Sequence, residues 1–350
     1  MATSQPASAA VATMEPTISP SISTTYGAGP NRHRLLGKTV VTRTMRELAV
    51  LAVVGCYSSS PRPPTPPAKP AHAPHVRAAA DPLGFLPIDA ELVAQLDVGA
   101  LRRTTLWARF EPALLAKAGP TLEQFRLACA FDPLPQIEHV AIGIRYLGTP
   151  QPDGVLVIRG IARAQLMRCM NKVVAAQPTV ATLDRGVVLL RPDPGEKPVA
   201  FAFADAHTLV IFAGEHAATA QGLRDVLSSG AALRTSEAFM EMFGRIDGKR
   251  IAWFFLNGTS KIFDAVASFG FHPHAFYGSL DATVGATAKL FVRMPTAAEA
   301  TNLVTTIQGQ ITAVQALVER FEVSTDDLDV VIDVALTEDQ LALGANLLGP

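Results

Sequence analysis

Val140-Ala141-Ile142-Gly143-Ile144 and Val155-Leu156-Val157-Ile158, with Asp153-Gly154 in the turn region between them, decide the fold of this chain. Both runs are short, apolar and rich in β-branched residues, which suit a pleated and buried surface. An Asp-Gly pair tolerates the backbone of a tight reversal, so the runs read as hairpin strands. Strands joined by tight turns favour antiparallel sheets with helices packed on one face, an α+β layout.

Working outward, Leu92–Leu96 reads as a strand, and Asp97 follows as a helix cap before Leu101, Leu106, Trp107 and Phe110. Pro112 lacks the amide proton a helix interior needs, so a second short helix is expected from there to Gly119. Downstream, a helix is expected over Arg163–Ala176, strands over 187–190, 199–203 and 209–212, and a helix over 216–228.

The second half repeats this order. Ile251–Asn257 matches the first strand with its polar terminator, and Ile262–Phe269 is the helix after it. Leu290–Thr296 aligns with the first hairpin's second strand around Arg159 and Arg293, and Val330–Val334 aligns with Leu209–Ala213. Between them a helix over 296–322 would place Leu303, Ile307, Ile311, Val314, Leu317 and Phe321 on one stripe. The unit is β-α-β-β-α-β-α, used twice with extra strands in the first copy. The repeats span 83–230 and 231–350.

Composition bounds the partners. Thirty Lys and Arg stand against 31 Asp and Glu, and no basic stripe with interleaved aromatics occurs, so nucleic acid is not expected as a partner. With 49% hydrophobic and 17% charged residues, the region after residue 82 has ample material for a core.

The most specific motif lies ahead of that region. Leu48-Ala49-Val50-Leu51-Ala52-Val53-Val54-Gly55-Cys56 is a short apolar run ending in Gly-Cys, with Arg43 and Arg46 before it. It resembles the lipobox of bacterial lipoprotein signal peptides, with residues 35–55 as the signal. The run is much shorter than the ~20 residues a membrane span needs. The resemblance implies that Cys56 becomes the lipidated N-terminus, anchoring the chain to a membrane through acyl chains. Residues 1–34 have no hydrophobic period, and are expected to be disordered or to precede the true start of translation near Leu35–Val41. Residues 56–82 comprise the lipidated Cys and a Pro-rich tether, extended polyproline-II by composition. Tyr57 is not the Asp that commonly retains lipoproteins in the inner membrane, so the resemblance favours the outer membrane, facing the periplasm or the surface.

With Cys56 consumed by lipid, Cys129 and Cys169 remain as an even pair in an oxidising compartment, and a disulfide between them is expected. Two buried free thiols are the alternative. Neither has a His or Cys at ligand spacing, so no metal is expected there.

Recognisable catalytic signatures are missing: there is no Gly-x-Ser-x-Gly, no His-Glu-x-x-His and no Cys-x-x-Cys. Gly244–Lys249 has the wrong spacing for a phosphate loop and precedes a strand. His272-Pro273-His274 reads as a turn, Asn257-Gly258-Thr259 as a strand end with a helix cap, and Asp326, Asp327 and Asp329 as a solvated turn.

Leu86-Pro87-Ile88-Asp89-Ala90-Glu91-Leu92-Val93, continuing to Asp97, Leu101-Arg102 and Leu106-Trp107, resembles the opening of uncharacterised lipoproteins of myxobacteria and related Gram-negatives. Ala128–Leu134 and the helical Cys169 fit the same pattern. That family has no known activity, so the resemblance bears on fold and location alone. The expectation is a lipid-anchored cell-envelope protein with a non-enzymatic binding or structural role and no cofactor. Its partner would be an unknown envelope protein. The alternative is a carrier or chaperone for a hydrophobic ligand in the periplasm, and an unrecognised hydrolase ranks third.

Overall fold

The computed structural model describes residues 81–341, apart from 150, 177–180, 191–197, 215–218, 230–232, 268–269, 284 and 316–317. The signal segment, Cys56 and the Pro-rich tether therefore lie outside the described residues.

Twelve strands among the described residues form one continuous antiparallel sheet. They are β1 Leu92–Asp97, β2 His139–Arg145, β3 Asp153–Arg159, β4 Ala181–Asp184, β5 Val187–Leu190 and β6 Val199–Phe203. They continue as β7 Thr208–Ala213, β8 Ala252–Asn257, β9 Ala275–Asp281, β10 Ala286–Arg293, β11 Arg320–Asp326 and β12 Asp329–Leu336. Their order is β11-β12-β10-β9-β8-β1-β2-β3-β7-β6-β5-β4, so the two halves of the chain meet at β1 and β8. There Ala94 stands opposite Phe254.

The deciding hairpin forms as β2 against β3, with Gly143 opposite Val155. Its reversal lies earlier than expected. Asp153 and Gly154 already pair within β3, and the chain turns at Tyr146 and Gly148, both at positive φ. The buried Asp153 is ion-paired with Arg145 at 3.6 Å, which ties it into the ladder.

The helices are α1 Val98–Leu101, α2 Thr105–Cys129, α3 Arg163–Ala176, α4 Ala220–Ser229, α5 Glu237–Phe243, α6 Asp264–Ala267 and α7 Ala297–Gln315. Asp97 caps α1 as expected, accepting the Ala100 amide at 2.6 Å. Contrary to the break expected at Pro112, α2 is one helix containing Pro112 and Pro120. Thr104 caps its start, accepting the Trp107 amide at 3.1 Å. Trp107, Ala118, Leu122 and Phe125 are all buried in one cluster, and that continuous stripe offsets the two missing amide donors.

Helices cover both faces of the sheet, not one. On one face α2 and α3 pack over Leu156, Ile158, Leu209 and Ile211. There α7 continues the layer through Ala300 and Val304 against Val292, Val330 and Ile332. On the other face α4 and α5 bring Leu223, Phe239 and Met242 onto Val155, Val157, Phe212, Phe255, Tyr277 and Phe291. The physical reason is in the strands: every residue of β6 is buried, as are most of β3 and β7. Consecutive apolar residues produce two apolar faces, and both need cover.

The helix read over 296–322 ends at Gln315, and Phe321 lies on β11. From Arg320 to Val323 charged and apolar residues alternate, exposed and half-buried in turn, a period of two that suits an edge strand. At the other end of the molecule, Cys129 closes α2 and Cys169 sits within α3. The pair stands at disulfide distance, with Cα atoms 4.9 Å apart.

Candidate functional site

Two rows of residues cross the sheet on the face that α5 covers. In the first half, Asp97, His139, Arg159 and Thr208 stand opposite one another on β1, β2, β3 and β7. In the second half, Asn257, Ala275, Arg293 and Asp329 hold the corresponding places on β8, β9, β10 and β12. Each row carries an arginine at its third place. What differs is the company that arginine keeps.

Arg293 is fully engaged. Its Nε and Nη2 donate to the two carboxylate oxygens of Asp329, both at 3.1 Å, and its Nη1 donates to Glu241 of α5 at 2.8 Å. Asp329 also accepts from Arg245 Nη1 at 2.7 Å and from the Tyr277 hydroxyl at 2.9 Å. Hydrogen bonding to Asp329 holds the Arg293 guanidinium even more firmly protonated than usual. Burial first, and the bond to Asp329 second, push the Tyr277 hydroxyl well above the ordinary phenol range. With four donors on its two oxygens and no exposure, Asp329 is a locked structural acceptor and not a general base. The reading of residues 326–329 as a solvated turn is corrected for Asp329, whose burial follows from its place opposite Arg293.

Arg159 has no carboxylate partner among the described residues. Where the second row places Asp329, the first has Thr208, whose hydroxyl donates to Asp205 at 2.9 Å. The carboxylate of its own row, Asp97, caps α1 and lies 3.8 Å from His139 Nδ1, two strands away from Arg159.

Clefts flank α5. One, of about 230 Å³, is lined by Gln95, His139, Arg159, Arg234, Phe243 and Trp253, with the Asp81–Pro82–Leu83 segment at its rim. Arg234 is paired there with Asp81. The other, of about 300 Å³, is lined by Ser236, Glu241, Phe255, Asn257, His274 and Arg293 among others. On the opposite face, a cavity of about 60 Å³ lies among Phe125, Leu134, Ile158, Leu166, Phe201 and Ile211.

The sequence candidates fall unevenly on this frame. Cys56 lies outside the described residues, while Cys129 and Cys169 come together on the two helices that cover the opposite face of the sheet. Of His272-Pro273-His274, His274 lines the second of these clefts. Among the described residues no group of three or more His, Cys, Asp or Glu side chains is placed to hold a metal ion. Asn257 accepts the Thr259 amide at 3.1 Å, which matches its reading as a strand end. Sequence reasoning aligned Arg159 with Arg293 but missed Glu241, Arg245 and Asp329, whose pairing joins segments 36 to 84 residues apart. An Asp-Val-Val run opening a strand, after an arginine closing another, was the available signal.

No protein family, curated protein or solved structure matches this chain. No helix among the described residues is long and apolar enough to cross a membrane.

Proposed function

We propose that the protein is a lipid-anchored component of the cell envelope, non-enzymatic, presenting a duplicated α+β binding domain on a Pro-rich tether. The observation that carries the anchor is the run Leu48–Cys56, an apolar segment ending in Gly-Cys and followed by a Pro-rich stretch to residue 80. The acyl chains of Cys56 would hold the chain on the outer membrane, and residues 57–80 would carry the folded part away from it.

Duplication is supported by register. Arg159 and Arg293 close equivalent third strands, and Leu209 and Val330 follow them in the same relation on β7 and β12. The bonds Asp97 N–H to Ile251 C=O and Asn257 N–H to Glu91 C=O are related about Ala94 and Phe254. The order β1-β2-β3-β7-β6 recurs as β8-β9-β10-β12-β11.

A binding role is supported by the clefts at α5, where polar groups converge beside aromatic walls. The carrier reading has less support. The apolar cavity of about 60 Å³ is the volume of roughly two waters at ~30 Å³ each, too little for an acyl chain.

The anchor is tested in the native host with Cys56→Ser. Wild type is expected in the detergent-soluble membrane fraction, with an intact mass equal to Cys56–Pro350 plus acyl chains. The variant is expected to leave that fraction. Unchanged membrane attachment and an unacylated chain retaining residues 1–55 would overturn the reading.

A further inference from the structure

We infer that the cleft beside Arg159 binds a small organic monocarboxylate, with the guanidinium as its charge partner. The inference deepens the binding role proposed above and rests on it.

The first step is the unmatched charge. Arg293, at the corresponding place in the second half, is neutralised by Asp329 and Glu241. Arg159 has Thr208 where Arg293 has Asp329, and it is half-buried in a cleft of about 230 Å³. A half-buried guanidinium that opens onto a cleft is free to take a ligand there, and its planar fork fits a carboxylate with two parallel bonds. Residues 57–80, which precede the cleft's rim, contain Arg62, Lys69 and Arg77 and no Asp or Glu.

The second step is the charge count. Arg234 is already paired with Asp81, so among the described residues Arg159 is the lining arginine without a carboxylate partner. Asp97 lies about 10 Å from Arg159, two strand spacings across the sheet. One unmatched cation with a carboxylate at that distance favours a monoanion over a phosphate dianion.

The walls define the rest of the ligand. Trp253 and Phe243 meet edge to face at 5.1 Å, and Leu83 and Pro82 add apolar surface. Gln95 and His139 supply hydrogen-bonding groups on the neighbouring strands. A carboxylate on a compact apolar or aromatic body matches that lining, within a volume of roughly seven or eight waters at ~30 Å³ each.

The experiment titrates the full chain with sodium benzoate and, separately, with inorganic phosphate. Binding is followed by calorimetry and by the fluorescence of Trp253 in the cleft wall. Benzoate is expected to bind saturably at one site and more tightly than phosphate. Arg159→Gln should weaken it at least tenfold. Gln95→Glu, which keeps the side-chain shape and adds a negative charge to the cleft, should do the same and serves if Arg159→Gln does not fold. Arg234→Gln should have the smaller effect, since its charge is already spent on Asp81. No saturable benzoate binding, equal affinity in folded Arg159→Gln or Gln95→Glu, or phosphate binding more tightly than benzoate would each overturn the inference. None of these outcomes touches the lipid anchor, which is read separately by membrane partition of Cys56→Ser.

Discussion

Asp329 and Thr208 occupy the same place in the two halves of the sheet, and the contrast between them concentrates the chemistry of this molecule at two arginines. A fully buried carboxylate is stable only when its oxygens are satisfied, and Asp329 has Arg293, Arg245 and Tyr277 to satisfy it. Removing the carboxylate leaves Arg293, largely enclosed, with Glu241 alone and strips Tyr277 of its acceptor. Asp329→Ala should therefore lower unfolding free energy by about 3–5 kcal/mol in urea titration. A loss below about 1 kcal/mol would show that the network is solvated in solution. Arg159, without a carboxylate partner among the described residues, has no comparable network to lose. The two aligned arginines thus do different work: Arg293 fastens α5 to the sheet, and Arg159 faces a cleft.

At the scale of elements, α2 shows how packing overrides local propensity. Pro112 and Pro120 each remove an amide donor and would break an isolated helix, yet the stripe Trp107, Ala118, Leu122 and Phe125 holds one 25-residue element against β3 and its neighbours. Pro112 itself is exposed, so its ring contributes little burial. Pro112→Ala should restore the donor and raise stability by about 1–3 kcal/mol, seen as a higher thermal midpoint; a lower midpoint would mean that the proline fits a bend the sheet requires. The same competition explains what the sequence made legible. The β2–β3 hairpin, the Asp97 cap and the Cys129–Cys169 pair were readable because alternation, capping and cysteine parity are local or arithmetic signals. The break expected at Pro112 was wrong because a long-range apolar stripe decided the matter. The extension of α7 to residue 322 was wrong because Phe321 continues a helical spacing by coincidence while belonging to the two-residue period of β11. At the clefts, the alignment of Arg159 with Arg293 was visible. Their partners were not, because Glu241, Arg245 and Asp329 meet only once α5 lies across strands far away in sequence.

At the scale of the whole molecule, the join between β1 and β8 makes one sheet of the two halves, and it sits at the centre of the strand order. Val93 on β1 and Trp253 and Phe255 on β8 are buried in the same cluster that α4 and α5 cover, so the join is also core. Separating the chain at residue 230 would expose β1 on one fragment and β8 on the other, each a long edge with unpaired amides and carbonyls. The fragment ending there would also lose α5 from the face it shares with Val155 and Phe212. Neither half should therefore behave as a soluble monomer. The β1–β8 register, with Ala94 opposite Phe254, gives each exposed edge an antiparallel partner of similar length in a second copy of itself. Expressed alone, fragment 81–230 is expected to aggregate or to dimerise through β1. Expressed together, 81–230 and 231–350 are expected to co-purify as a one-to-one complex with the circular dichroism of the intact chain. Light scattering on each preparation decides between these outcomes. Two stable, monomeric halves that ignore each other would mean that the β1–β8 join contributes little, and that the halves are autonomous domains in contact; obligate one-to-one reassembly would mean that the second half folds as the partner the first would otherwise seek in another copy.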